Sequence, residues 1–288
     1  MKRKVERIIP AFDIDMGGIL LKQALPTNNV SQIDPFLLLH HGDFKYTDRK
    51  PAIQQGIGPH PHRGFSPVTF VISGEIHHRD SRGNNQIAKK EEVQWMNAGS
   101  GVVHSERPSE AIASVSGKTE IIQLWINSPA INKAKPPYYN HVEEVNLPAF
   151  FSDDKLVRSK LITGDYNGIS GAMKGDSDLL ILWNNAKKDG VQQLVIEERF
   201  NLMIYVIGGD VRVTGHGLVD AKTLIVFENK GKEIEMTANS DAEYLVLGGV
   251  PIEEKVVQHG PFVMNTESEI MEAMRDYQMG KMGVLIEE

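Results

Sequence analysis

The feature that most limits the fold of this chain is a series of strand-length apolar segments, each cut short by a turn. Val68-Thr-Phe-Val-Ile72 runs into Ser73-Gly74, Ile121-Ile-Gln-Leu-Trp-Ile126 into Asn127-Ser-Pro129, and Leu179-Leu-Ile-Leu-Trp183 into Asn184-Asn185. Leu202-Met-Ile-Tyr-Val-Ile207 meets Gly208-Gly209, and Tyr244-Leu-Val-Leu247 meets Gly248-Gly249. Segments this short, bounded by Gly, Asn and Pro, read as strands, and many in series predict an all-β sandwich or barrel. There is also an internal echo. Val71-Ile-Ser-Gly-Glu-Ile76 matches Val206-Ile-Gly-Gly-Asp-Val211, about half a chain length further on. In both, a strand meets a glycine turn, then an acidic and a β-branched residue. The echo predicts a duplicated β-domain with its junction near Pro136-Pro137, giving domains over residues 1–135 and 136–288.

One helix stands out near the C-terminus. Thr266-Glu-Ser-Glu269 has the form of a capping box, in which the Thr hydroxyl and the Glu carboxylate satisfy free N–H groups of the first turn. Ile270, Met274 and Tyr277 then fall on one face at helical spacing, and Gly280 supplies a stop.

Composition narrows the function. The chain has 288 residues, enough for two domains, with a net charge of −7. No dense basic block follows Lys2-Arg3-Lys4, which argues against direct nucleic-acid binding. There are no cysteines, so a metal site must be built from histidines and carboxylates. Residues Met1 to Asp15 lack the apolar core of a signal peptide, and no apolar run approaches the ~20 residues of a membrane span. The expectation is a cytoplasmic monomer with no membrane contact, each domain covering a face of the other.

The chemistry concentrates in Gly58-Pro-His-Pro-His-Arg-Gly-Phe65 and Gly99-Ser-Gly-Val-Val-His-Ser-Glu106. In extended chain, residues i and i+2 share a face, so His60 pairs with His62 and His104 with Glu106. Two such pairs on facing strands bring four ligand atoms to one point. Pro61 lacks an N–H and suits a sheet edge, and Gly99 and Gly101 permit the turn that returns the second pair over the first. Three imidazoles and one carboxylate suit Fe(II), Mn(II), Ni(II) or Cu(II), and Zn(II) as well. Four protein ligands in an octahedral field leave two positions open for substrate and O₂. The remaining histidines carry less weight. His77-His78 read as a solvated strand end and His40-His41 as loop residues; His141 and His216 have no companion ligands, and His259 reads as a structural or pocket-rim residue. At the echo of His60 and His62 stand Val195 and Glu197, so the second domain is expected to be metal-free.

With these motifs the chain resembles the pirin family of bicupins. The resemblance is carried by Asp34-Pro-Phe-Leu-Leu-Leu39, His60-Pro-His-Arg-Gly-Phe65, Gly74-Glu-Ile76, His78-Arg-Asp-Ser81, Val93-Gln-Trp-Met96, Ala98-Gly-Ser-Gly101 and His104-Ser-Glu106. It continues in Gln123-Leu-Trp-Ile126 and in the stretch from Val257 through Gln258-His-Gly-Pro-Phe262 to Thr266. It implies two tandem cupin (jelly-roll-type) β-barrels and a C-terminal helix folded back on the first. It also implies a single iron in the N-terminal barrel, held by the residues matching His60, His62, His104 and Glu106. A broader cupin pattern would set a Glu at Ser66 or Pro67, a place Glu106 fills instead.

Two functions follow from the resemblance. As a quercetin 2,3-dioxygenase-like enzyme, the protein would bind a flavonol through its 3-hydroxyl, Glu106 would accept the proton as ligand and base, and O₂ would open the central ring. Phe65, Ser66, Phe70, Trp95 and Met96 are the candidates for the pocket wall. As a redox-sensitive iron protein, it would act instead through contact with a protein partner.

Overall fold

The computed structural model describes residues 1–287. Strands dominate, and the chain divides into two compact units. One gathers residues 1–14, 22–35 and 146–252; the other gathers residues 15–21, 36–145 and 253–288.

The unit holding residues 146–252 has a seven-stranded sheet ordered Val5–Pro10, Thr223–Phe227, Asn201–Gly208, Ala242–Gly249, Leu179–Ala186, Val157–Thr163, Ala149–Phe151. A four-stranded sheet, Val191–Val195, Glu233–Ala238, Asp210–Val213, Gly217–Asp220, belongs to the same unit. Leu182, Ile204 and Val246 from the first sheet meet Leu194, Val211 and Ile234 from the second in a dry core. Its buried polar side chains satisfy one another. Tyr244 OH donates to Gln192 Oε1 at 2.7 Å, and Gln192 Nε2 donates to Ser159 Oγ at 2.7 Å and Asn184 Oδ1 at 2.8 Å.

In the other unit the four-stranded sheet runs Ile57–His62, Val102–Arg107, Glu75–Asp80, Asn85–Lys89. Its larger sheet runs Tyr138–Val142, Val93–Asn97, Phe65–Ser73, Lys118–Asn127, Phe36–Lys45. Val71 and Ile121 from the larger sheet pack on Ile76 and Ala88 from the smaller.

The expected closed barrels are not formed. Each sheet begins and ends on different strands, and no ladder joins the last strand to the first. The units are bicupin-like pairs of open sheets. The chain turns a corner between sheets at a glycine, and the strand ladder does not continue around it. Gly74 (φ +77°) separates Phe65–Ser73 from Glu75–Asp80, and Gly209 (φ +72°) separates Asn201–Gly208 from Asp210–Val213. A Cβ at Gly74 would lie 2.1 Å from Lys118 O, and one at Gly209 would lie 2.2 Å from Asp241 O. These are the two glycine turns of the echoed sequence, so the echo marks one structural corner made twice.

The C-terminal helix spans Glu267–Gln278, with both hydrogen bonds of its Thr266–Glu269 capping box present. Its buried side differs from the expected one. Ile270, Ala273 and Asp276 face inward, while Met274 and Tyr277 are more than a third exposed. Asp276 turns inward because Arg63 Nη1 reaches its Oδ2 at 2.9 Å, which rotates the inner face toward an i, i+3, i+6 stripe. Ile270 and Ala273 pack with Phe262, Met264, Met282 and Val103. Among the described residues no helix is long and apolar enough to cross a membrane.

Candidate metal centre

The site is built on two antiparallel strands. Ile57–His62 is the outer strand of the small sheet, where Pro61, without an N–H, leaves no central ladder bond unmade. It pairs with Val102–Arg107 so that His104 lies directly opposite His60 and Val102 opposite His62. The register shifts between His104 and Glu106, which faces Ile57.

His60, His62 and His104 converge, each with a ligand atom within 4.8 Å of the others. Their ring centroids are 4.3 to 4.9 Å apart. His62 and His104 are buried and His60 is partly exposed, so solvent approaches from the His60 side. His60 Nδ1 donates to Gly58 O at 2.8 Å, which leaves Nε2 with a bare lone pair. His62 Nδ1 and His104 Nε2 are buried without a hydrogen-bond partner. Burial holds all three imidazoles below their usual pKa, His62 and His104 far below it, and the neighbouring rings add to the effect. Unpartnered buried nitrogens are costly in a protein interior unless something binds them. Three neutral imidazoles offering lone pairs to one point fit a divalent transition metal.

Glu106 is buried two residues from His104, and its carboxylate is gripped by three donors. Oε1 accepts from Thr69 Oγ1 and Gln94 Nε2, each at 3.2 Å, and Oε2 accepts from Gln123 Nε2 at 2.8 Å. Tyr139 OH donates in turn to Gln94 Oε1 at 3.0 Å. Burial, with Glu106 nearby, pushes the Tyr46 hydroxyl up to about 12.

Residues distant in sequence fix the His62 end. Gly64 has φ +87°, and a Cβ there would lie 2.0 Å from Val263 O, so only glycine fits. The buried Lys133 Nζ donates to Gly64 O at 2.7 Å, Asn127 Oδ1 at 2.7 Å and Val263 O at 3.0 Å. Burial lowers its pKa to about 8.

The Pirin profile matches residues 18–126, and that of the Pirin C-terminal cupin domain matches residues 183–283. A pirin-like protein of Caulobacter vibrioides is 36% identical over 93% of this chain and 94% of its own length. The chain belongs to the pirin family. Its fold superposes on a quercetin 2,3-dioxygenase from Acinetobacter baumannii with a TM-score of 0.91 at 33% identity, covering 99% of this chain and 100% of that one. A bacterial pirin from Escherichia coli in complex with nickel(II) shares the fold, with a TM-score of 0.68 at 19% identity over 85% of this chain and 99% of that one.

In this pirin the three histidines come together, while Glu106, on the strand of His104, is held by its own donors outside that cluster. The pocket candidates separate by strand face. Thr69 reaches Glu106, so the two-residue period puts Phe65 on its face and Ser66 and Phe70 on the other. Phe65 meets His62 edge-on at 5.1 Å. Gln94 likewise shares a face with Met96, while Trp95 takes the reverse one. Several neighbours of the site escaped the sequence reading. Trp125 stands 5.3 Å from His62, Thr69, Gln94 and Gln123 hold Glu106, and His78 lies against His104. His78 is buried rather than solvated, and His40 and His41 are buried strand residues rather than loop residues. For His78 a signal was available, because His78-Arg-Asp80 repeats the same-face spacing of the ligand pairs.

Proposed function

We propose that this pirin is an iron(II)-dependent dioxygenase of the quercetin 2,3-dioxygenase type, with a flavonol-like molecule and O₂ as substrates. The observation that carries the proposal is the trio of neutral, converging imidazoles beside an anchored carboxylate, in a chain that overlays a quercetin 2,3-dioxygenase along almost its whole length. Glu106 completes the ligand set and is the acceptor for the substrate's 3-hydroxyl proton. Bound there, iron(II) supplies a Lewis acid for that hydroxyl and a redox centre for reaction with dioxygen.

The chain's own residues have separable tasks. His60, His62 and His104 hold the ion with lone pairs that burial keeps free of protons. Thr69, Gln94 and Gln123 aim the Glu106 carboxylate, and to take the ion or the proton it would give up one of these hydrogen bonds. Phe65 and Trp125, packed edge-on to His62, form an apolar wall that keeps water from that side of the centre. The partly exposed His60 side is where substrate enters.

The test is loss of flavonol absorbance when Fe(II)-loaded protein meets quercetin in air. Turnover that disappears in His60→Ala is expected. No turnover with iron, manganese, nickel or copper would contradict the dioxygenase assignment and leave the redox-regulated alternative.

A further inference from the structure

Beside the metal centre lies a buried pair to which the proposed chemistry gives no task. On the strand Glu75–Asp80, Ile76, His78 and Asp80 point inward and alternate with partly exposed neighbours. Across the ladder, Asp80 faces His104 and His78 faces Glu106. The His78 ring is therefore diagonal to the His104 ring, with centroids 5.3 Å apart. His78 Nδ1 faces His104 Nδ1 at 3.4 Å, and His78 Nε2 faces Asp80 Oδ2 at 3.2 Å.

Asp80 is itself immobilised by the turn that follows it. Its Oδ1 accepts from the backbone N–H groups of Arg82 at 2.9 Å and Asn84 at 3.1 Å, and its Oδ2 accepts from Asn84 Nδ2 at 2.7 Å. Tyr139 stacks on His78 at 4.2 Å with an interplanar angle of 12°, so the imidazole cannot tilt without losing that contact.

One arrangement of hydrogens satisfies both contacts and leaves the unpartnered His104 Nε2 without a hydrogen. A carboxylate has none to give, so His78 Nε2 carries the hydrogen shared with Asp80. With His78 Nδ1 as the acceptor between the rings, His104 Nδ1 supplies the hydrogen there. That leaves His104 Nε2 bare, which is the buried nitrogen with no hydrogen-bond partner in the protein. We propose that Asp80 and His78 form a positioning relay that fixes the tautomer and angle of His104 and thereby sets the affinity and reduction potential of the bound metal.

The proposal rests on the three-histidine metal centre and not on the identity of the substrate. A ligating imidazole whose second nitrogen donates toward a carboxylate is oriented before the ion arrives and is a more basic ligand. Here the effect passes through an intervening imidazole. His78 itself is not one of the three histidines whose ligand atoms converge, and both of its ring nitrogens are engaged by protein groups.

Two measurements on the full chain test it. With Zn(II) bound as a diamagnetic probe, ¹⁵N-histidine NMR is expected to find hydrogens on His104 Nδ1 and His78 Nε2 and none on His78 Nδ1. A hydrogen on His78 Nδ1 overturns the relay, and this experiment needs no variant to fold. The second is metal competition against a chelator. His78→Phe keeps a ring stacked on Tyr139 but removes both nitrogens. It is expected to weaken Fe(II) and Ni(II) binding about 10–100-fold, and to raise the Fe(III)/Fe(II) potential because His104 becomes less basic. Unchanged affinity and potential overturn the relay while leaving the metal centre intact. A loss as complete as in His104→Ala overturns it by making His78 a ligand. If the wild-type chain binds none of these ions, the metal centre fails and the relay with it.

Discussion

At the scale of single residues, burial lowers the pKa of His40, His60, His62 and His104, and this has consequences with a definite sign. Burial lowers the His40 pKa to about 4 from an unfolded value near 6.5. Below 6.5 the unfolded chain takes up a proton that the folded chain refuses. The associated stability is complete above that pH and is lost as pH falls toward 4, by roughly 3 kcal/mol for His40. His62 and His104 act in the same direction. Thermal melts of the metal-free protein should therefore begin to fall near pH 6.5, above the carboxylate range. A melting temperature that stays level from pH 6.5 to 5 would contradict this. For the ligands, His60→Ala and Glu106→Gln are each expected to abolish stoichiometric metal, as read by elemental analysis after dialysis, and full occupancy in either would remove that residue from the ligand set. The histidine trio was legible in the sequence because i, i+2 spacing survives in any extended strand. The hydrogen-bonded surroundings of Glu106 were not, because the register shift between His104 and Glu106 and the inward turn of Gln94 and Gln123 depend on partner strands.

At the scale of elements, backbone conformation at the turns carries more of the site than the strands themselves. Gly64→Ala would drive a Cβ into Val263 O next to the His62 strand, at a residue with positive φ. It is expected to cost more than about 2 kcal/mol of stability and to weaken metal binding. Gly208→Ala is the control, since a Cβ there meets nothing within 4 Å, and it should stay within about 0.5 kcal/mol of wild type in a denaturant titration. Equal losses in the two variants would contradict the steric account. Strand-length runs and the Thr266–Glu269 capping box were readable because they are local patterns. The helix's buried side was not, because the ion pair between Asp276 and Arg63 draws a polar residue inward where periodicity favoured Met274 and Tyr277.

For the whole molecule, the order of the chain and the order of the fold diverge. Apolar periodicity and the glycine echo reveal two β-domains, yet closure of a sheet depends on whether its first and last strands pair, which no local pattern encodes. The expected barrels are therefore open sheets. The unit that carries the metal centre also contains residues 253–288. That segment contributes Val263 O to Lys133, Asp276 to Arg63, and Ile270 and Ala273 to the packing over Val103. A fragment of residues 1–135 lacks all of these. It should bind metal at least tenfold more weakly than the full chain, or fail to fold, and wild-type affinity in the fragment would contradict that dependence. The central claim, one metal ion held by His60, His62 and His104, is tested most directly by anomalous scattering at the iron edge from crystals loaded with Fe(II). A single peak among the three imidazoles is expected, and no peak there, or a peak elsewhere in the chain, would contradict it.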